Sequence, residues 1–395
     1  MVNLKMKELG TKASVIRELF EYGKKRKQEI GENNVFDFSL GNPSVDSPAI
    51  VNETLISLIN NTNPCALHGY TSGNGDMGVR ESIASYLNEK YNANASADLI
   101  YMTVGAAASL TISLNALLNE GEEVIVFTPY FPEYKVFIEK AMGKIVLVNC
   151  KEENFYPDLE DFEDKISERT KAVIINSPNN PTGVIYTEDI IKKISDILKK
   201  KQCEYNNDIY LISDEPYREL VYSDIKVPYV SNYYENSIIC YSFSKSLSIP
   251  GERIGYIMVS SLCKDSKDVY SAICGSGRSL GYVCAPALFQ YMIPSCLGQT
   301  SDLDIYKENR DILYNNLKEF GYEVVRPDGA FYLFVKAINN DAYEFSNKAK
   351  EFELLVVPSD SFGFKGYVRI AYCVSKEQVV NSLDAFKKLI DSYRG

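Results

Sequence analysis

The sequence contains no tryptophan and a single histidine, His68. Its nine cysteines, an odd number, include no C-x-x-C pair. One histidine and unpaired cysteine spacing make no zinc-site pattern. The cysteines read as small apolar fillers in a reducing compartment. No apolar run reaches membrane-spanning length, and Met1 to Gly10 has no apolar signal region, so a cytoplasmic protein is expected. Positive charge is not in excess: 42 basic against 53 acidic residues leave a net charge of −11, which disfavours nucleic acid as a partner. Internal repeats and low-complexity linkers are absent too. What remains is a chain of 395 residues with an ordinary apolar fraction of 45%, enough for about two or three domains.

Along the chain, Ala13 to Ile30 reads as an amphipathic helix with Val15, Ile16, Leu19 and Phe20 on one face. Lys24-Lys25-Arg26-Lys27 reads as its solvated last turn rather than a basic patch. Phe36 to Leu40 is a short strand running into a turn at Gly41-Asn42-Pro43. Gly73 to Gly78 spells G-x-G-x-x-G, but no strand precedes it, and the dinucleotide fingerprint requires one. His68, just upstream, is a candidate base, although a single histidine is more often a structural hydrogen-bonding residue.

From residue 98 to 260 the pattern is regular. Apolar runs occur at Leu99–Val104, Glu123–Phe127, Ile145–Val148, Ala172–Ile175, Ile209–Ile212, Ile238–Cys240 and Ile254–Val259. Helical stretches separate several of them, including Ala106–Leu118 and Thr187–Lys201, the latter with Thr187 as N-cap and lysines at its end. The alternation predicts an α/β fold: a mostly parallel sheet with helices on both faces. Gly105-Ala106-Ala107, Pro129 to Pro132, Asn176 to Gly183, Ser213 to Tyr217 and the stretch around Lys245 each follow one of these runs. If the strands are parallel, all five groups lie at one carboxyl edge, where open α/β sheets bind ligands. After about residue 285 the texture changes to a smaller α+β domain. It comprises a helix Asp302–Phe320 stopped by Gly321, strands Phe331–Val335 and Tyr367–Ala371, and a helix Glu377–Ser392. The expected division is a large domain over 47–285 and a small C-terminal domain over 286–395, joined by the N-terminal segment 1–46.

The stretch Ser237 to Gly255 carries the chemistry. A short apolar run breaks into Ser242-Phe243-Ser244-Lys245-Ser246, and Arg253 follows after the turn Pro250-Gly251. A lysine at a strand end can form a Schiff base with an aldehyde cofactor. Hydroxyls and an arginine fork can hold a phosphate nearby. The other groups at the same edge suit a phosphorylated pyridine aldehyde. Asp214 can pair with a ring nitrogen, and Tyr217 and Asn180 can reach a phenolic oxygen. Gly105-Ala106-Ala107 opens a helix with free N–H groups, and Phe131 can stack on a ring.

These motifs resemble those of fold-type I pyridoxal-phosphate enzymes of the aspartate aminotransferase superfamily. The matching groups are Asn179-Asn180-Pro181-Thr182-Gly183, Asp214-x-x-Tyr217, Ser242-x-Ser244-Lys245 with Arg253, and Arg369 in Tyr367 to Ala371. They span residues 41 to 371 in the family's order. The resemblance implies pyridoxal 5'-phosphate as cofactor, with Lys245 as the Schiff-base lysine and proton shuttle. It implies Arg369, assisted by Asn180 and the Gly41 backbone, as the grip on the substrate α-carboxylate, and Arg253, Ser242 and Ser244 around the phosphate. It also implies a homodimer in which Tyr70 reaches the partner's phosphate site. Two positions depart from relatives. Ala107 stands where one subgroup places a side-chain-reading lysine, which puts a dicarboxylate substrate in doubt. Phe131 stands where some relatives have tryptophan. Arg278 is either a surface loop arginine or a reader of the substrate side chain across the dimer.

The expected activity is amino-group transfer between an amino acid and a 2-oxo acid. A β-elimination lyase or decarboxylase uses the same cofactor and remains an alternative. A nicotinamide-dependent dehydrogenase would need the glycine string at 73–78 and would leave Lys245 unexplained. A non-catalytic regulator of this fold would need an appended DNA-binding domain, for which the N-terminus has no room.

Overall fold

The computed structural model describes residues 2–11 and 14–394. Among these, the strands in chain order are Phe36–Asp37 (β1), Ile100–Thr103 (β2), Glu123–Phe127 (β3), Lys144–Val148 (β4), Thr170–Asn176 (β5) and Tyr210–Glu215 (β6). Ser237–Ser242 (β7), Gly255–Val259 (β8), Tyr332–Lys336 (β9), Leu354–Leu355 (β10), Val357–Pro358 (β11) and Tyr367–Ala371 (β12) follow. Seven of them form one sheet of order β2-β8-β7-β6-β5-β3-β4. The ladders linking β4, β3, β5, β6 and β7 are parallel. β8 alone runs antiparallel to both of its neighbours, β2 and β7.

That topology decides where the functional groups meet. β2 points the same way as β7, so the carboxyl ends of β2, β3, β5, β6 and β7 share one edge. β8, being reversed, begins at that edge, and Arg253 lies just before it. Apart from the partly exposed edge strand β4, the sheet is buried on both faces, as continuous apolar runs require. Val124, Val126, Ile174, Ile212 and Ile238 pack to one side, with helices Ala106–Leu117 and Ser266–Leu280. Ile125, Phe127, Val173, Leu211 and Ile239 pack to the other, with helices Met77–Tyr91 and Glu188–Tyr205.

A second core gathers around a three-stranded sheet of order β11-β12-β9 and helices Leu303–Phe320, Ala342–Lys350 and Lys376–Asp391. The N-terminal segment joins this part: β1 pairs with β10, and Arg26 forks onto Glu353 at 2.6 Å. Gly321, at φ 97°, ends the Leu303–Phe320 helix as expected. Helix Ala287–Cys296 packs instead into the larger core, through Met292 and Ile293.

Several local expectations are corrected. The first long helix runs Val15–Ile30 behind an Ser14 cap, and Ala13 lies outside the described residues. β1 is two residues long rather than five, because Asp37 accepts from the Ser39 N–H (3.0 Å) and hydroxyl (2.6 Å) and turns the chain out of the ladder. The helix expected over Thr187–Lys201 continues to Tyr205. The lysines at 199–201 do not stop it; Asn206, in the left-handed region, does. Thr187 occupies the cap position without making the side-chain cap bond. The glycine string follows helix Pro64–Leu67, not a strand. Its Gly75, at φ 102°, lies so close to Met102 of β2 that a β-carbon would come within 2.6 Å of that side chain's own. The loop therefore packs the sheet's edge, and Asp76 caps the next helix.

Candidate active site

At the carboxyl edge of the main sheet lies a cavity of about 290 Å³. Gly41, Ala106, Ala107, Phe131, Asn180, Asp214, Tyr217, Ser242, Ser244, Lys245, Arg253 and Arg369 all line it. Residues as far apart in sequence as Ile16 and Arg369 thus share one space, because β12 of the smaller part presents Arg369 opposite the strand ends of the larger. Two expected residues lie elsewhere. Gly105 is just behind the wall, where a β-carbon would sit 2.7 Å from Arg253 Nη2. Tyr70 is 99% exposed and does not reach this chain's cavity. His68 is exposed as well. Arg278 is exposed, in the last turn of helix Ser266–Leu280 rather than on a loop.

Lys245 is the cavity's amine. It sits in the one-turn helix Phe243–Ser246 that follows β7, and its Nζ donates to the Gly41 carbonyl at 2.7 Å. Burial lowers its pKa to about 8, with Arg253 and Arg369 acting in the same direction and Cys373 against. A useful fraction of neutral, nucleophilic amine therefore exists near neutral pH.

Asp214, near the end of β6, is buried. Its Oδ2 accepts from the Tyr134 hydroxyl at 2.5 Å, while its Oδ1 has no partner among the described residues. Burial pushes the carboxyl up to about 7; the Tyr134 bond opposes the rise and Glu215 adds to it. A buried carboxylate oxygen without a donor is costly unless a cation or N–H meets it. A protonated ring nitrogen would supply both.

Arg369 is 2% exposed. Its Nη1 donates to Asn180 Oδ1 (3.2 Å) and its Nη2 to the Ser39 carbonyl (2.6 Å), while Nε has no partner. Among the described residues no Asp or Glu pairs with it, so it is not half of a structural ion pair. A buried guanidinium with unused donors facing a cavity calls for an external carboxylate.

Hydrogen-bond donors gather around Ser244 as well. Helix Ala106–Leu117 opens at Gly105, whose φ of 94° excludes most other residues, with no side-chain cap on its first N–H groups. Ser242 donates to Ser244 Oγ (2.8 Å), and Arg253 reaches Ser244 Oγ at 3.4 Å. Hydroxyls, uncapped N–H groups and a guanidinium together suit a phosphate.

Sequence reasoning missed Tyr332, Tyr134, Asn176 and Ile16. Tyr332 lies in an apolar strand, with nothing local to mark it, yet it lines the cavity and meets Tyr217 hydroxyl to hydroxyl at 2.9 Å. Asn176 holds the floor together, donating to the Asp214 carbonyl (2.9 Å) and accepting from the Asn180 N–H (2.7 Å). Its position in the Asn-Ser-Pro-Asn-Asn run was the available signal. Tyr134 came three residues after Phe131, one helical turn on. Ile16 belongs by its spacing to the apolar face of a helix, yet it lines the cavity.

Comparison with known proteins agrees with this geometry. The family described as aminotransferase class I and II matches residues 33–386, and the chain belongs to that family. A probable aspartate aminotransferase of Methanocaldococcus jannaschii is 31% identical over 96% of this chain and 98% of its own. A crystal structure of an amino transferase from Eubacterium rectale superposes with a TM-score of 0.98 at 52% identity, over the whole of both chains. That of the aspartate aminotransferase from Thermotoga maritima gives 0.87 at 30%, over 99% of this chain and all of the other.

Proposed function

We propose that this protein is a pyridoxal-phosphate-dependent aminotransferase moving an amino group between an amino acid and a 2-oxo acid. One observation carries the reading. A lysine of lowered pKa, a carboxylate with an orphaned oxygen and a buried arginine that meets no Asp or Glu among the described residues line the same cavity. The residues fit the cofactor: Lys245 its aldehyde, Asp214 its ring nitrogen, Tyr217 and Asn180 its phenolic oxygen, and Phe131 the ring face. Ser242, Ser244, Arg253 and the N–H groups from Gly105 to Ala107 fit its phosphate. Bound there, pyridoxal phosphate supplies an electron sink for the substrate's α-carbon.

The chain's own residues do the rest. Arg369 takes the α-carboxylate and, with Asn180, fixes the substrate's orientation. Lys245 Nζ, once freed, holds the α-proton and returns it on the other side of the transfer. Ile16, Leu40 and Phe131 line the space with apolar surface that limits water. A tyrosine exposed to 99% gains nothing where it stands, which supports the reading that Tyr70 reaches the phosphate site of a second copy in a homodimer with shared sites. No helix among the described residues is long and apolar enough to cross a membrane, in keeping with work in the cytoplasm. The test is direct. Borohydride reduction of the yellow, cofactor-loaded protein and peptide mapping should find the label on Lys245. Amino acids assayed against 2-oxo acids should then show transfer. A label on another lysine, or cofactor-loaded protein inert to the whole panel, overturns the proposal.

A further inference from the structure

We propose that Tyr332 is a positioning residue for the reaction. Its hydroxyl fixes the direction in which Tyr217 gives its proton, and its ring fixes the plane in which Arg369 receives a carboxylate. The inference rests on the function proposed above and adds a residue to its machinery.

Tyr217 and Tyr332 are buried, and their hydroxyl oxygens are 2.9 Å apart. Burial raises Tyr217 well above its ordinary pKa and Tyr332 to about 12, so each keeps its single proton at neutral pH. Within this pair either oxygen can be the donor. Once Tyr217 gives its proton to an acceptor in the cavity, it has none left for Tyr332. Tyr332 must then donate and Tyr217 accept. A hydroxyl that accepts a hydrogen bond is itself a stronger donor. Tyr332 is not free to turn away, because its hydroxyl fills the space at Gly41 where a β-carbon would otherwise stand. The Gly41 carbonyl in turn holds Lys245 Nζ.

Tyr332 of β9 pairs with Ala371 of β12, which places Arg369, two residues back, on the same face as its diagonal neighbour. The guanidinium carbon lies 4.6 Å from the Tyr332 ring centroid, and the Phe362 ring lies 5.2 Å from that same carbon. A planar cation against an aromatic face is held in orientation as well as in place. One side chain therefore touches the tyrosine, the arginine and the glycine that orient three parts of the site.

The test separates hydroxyl from ring and has readouts other than turnover. In cofactor-loaded Tyr332→Phe, the visible absorbance of the lysine-bound cofactor should titrate higher than in the wild type by roughly 0.3–0.7 pH unit, because Tyr217 donates less strongly. Its affinity for carboxylate inhibitors should stay within about 2-fold. Tyr332→Leu should weaken those inhibitors about 3- to 10-fold through loss of the aromatic face. The double variant Tyr217→Phe/Tyr332→Phe should titrate as Tyr217→Phe alone does. A purely structural tyrosine would lower Tm and leave the titration where it was. Coincident titrations of wild type and Tyr332→Phe overturn the hydroxyl role, as does an additive shift in the double variant. Unchanged inhibitor affinity in Tyr332→Leu overturns the ring role. Should Tyr332→Leu not fold, Tyr332→Met carries that arm with the same expectation. If the wild type itself shows no visible band and no label on Lys245, the proposed function has failed instead.

Discussion

Asp214→Asn has opposite consequences for stability and for activity, and their combination is diagnostic. In the cofactor-free protein the Asp214 carboxyl titrates at about 7, against an ordinary 3.8, because burial disfavours its charge. That rise corresponds to about 4 kcal/mol against the ionised form, as an order of magnitude. The folded pKa lies above the unfolded one. The stability that the protonated group contributes is therefore full below about pH 4 and is lost as the pH rises through about 7. Asparagine keeps an acceptor for Tyr134 and never ionises, so the variant escapes this loss. Part of the gain is offset by burying the amide. Cofactor-free Asp214→Asn should melt about 2–5 °C above wild type at pH 8 and by less than half that at pH 5, read by calorimetry. Loaded with cofactor, the same variant should lose most of its turnover, because an amide does not hold a proton on the ring nitrogen. A Tm difference that does not change with pH would refute the electrostatic reasoning. Near-normal turnover would refute the assignment of Asp214 to the ring nitrogen.

Other substitutions test the remaining walls of the site. Arg369→Lys should cost roughly 1.5–3 kcal/mol of carboxylate binding, or about one to two orders of magnitude in kcat/KM, with little change in Tm; early unfolding with normal inhibitor affinity would mean a structural role. Gly41→Ala places a β-carbon on the Tyr332 hydroxyl and must displace one of them, so kcat should fall by about 10-fold or more, with about 1–3 kcal/mol lost in stability; wild-type rates would show that this contact is slack. Tyr70→Phe should weaken cofactor affinity by about 10-fold while leaving the dimer intact in sedimentation, because only one hydrogen bond is removed; a fully active monomer in the wild type contradicts the shared site.

Much of this protein was legible in its sequence because the signals are local. Apolar runs such as Glu123–Phe127 must become strands buried on both faces. The polar groups that follow them, from Gly105 to Lys245, have to gather at one edge once those strands run parallel. The helix stop at Gly321 follows from that glycine's freedom at positive φ. The reversal of β8 was not legible, since an apolar run carries no direction, yet it is what brings Arg253 to the edge where Lys245 stands. Nor could sequence show that, among the described residues, Arg369 meets no acidic partner and Asp214 leaves one oxygen orphaned, or that Tyr332 joins Tyr217, Arg369 and Gly41. Strand and helix follow from residues a few positions apart. Desolvation, unpaired donors and shared hydrogen bonds depend on which distant residues are packed alongside, and the tertiary structure alone decides that.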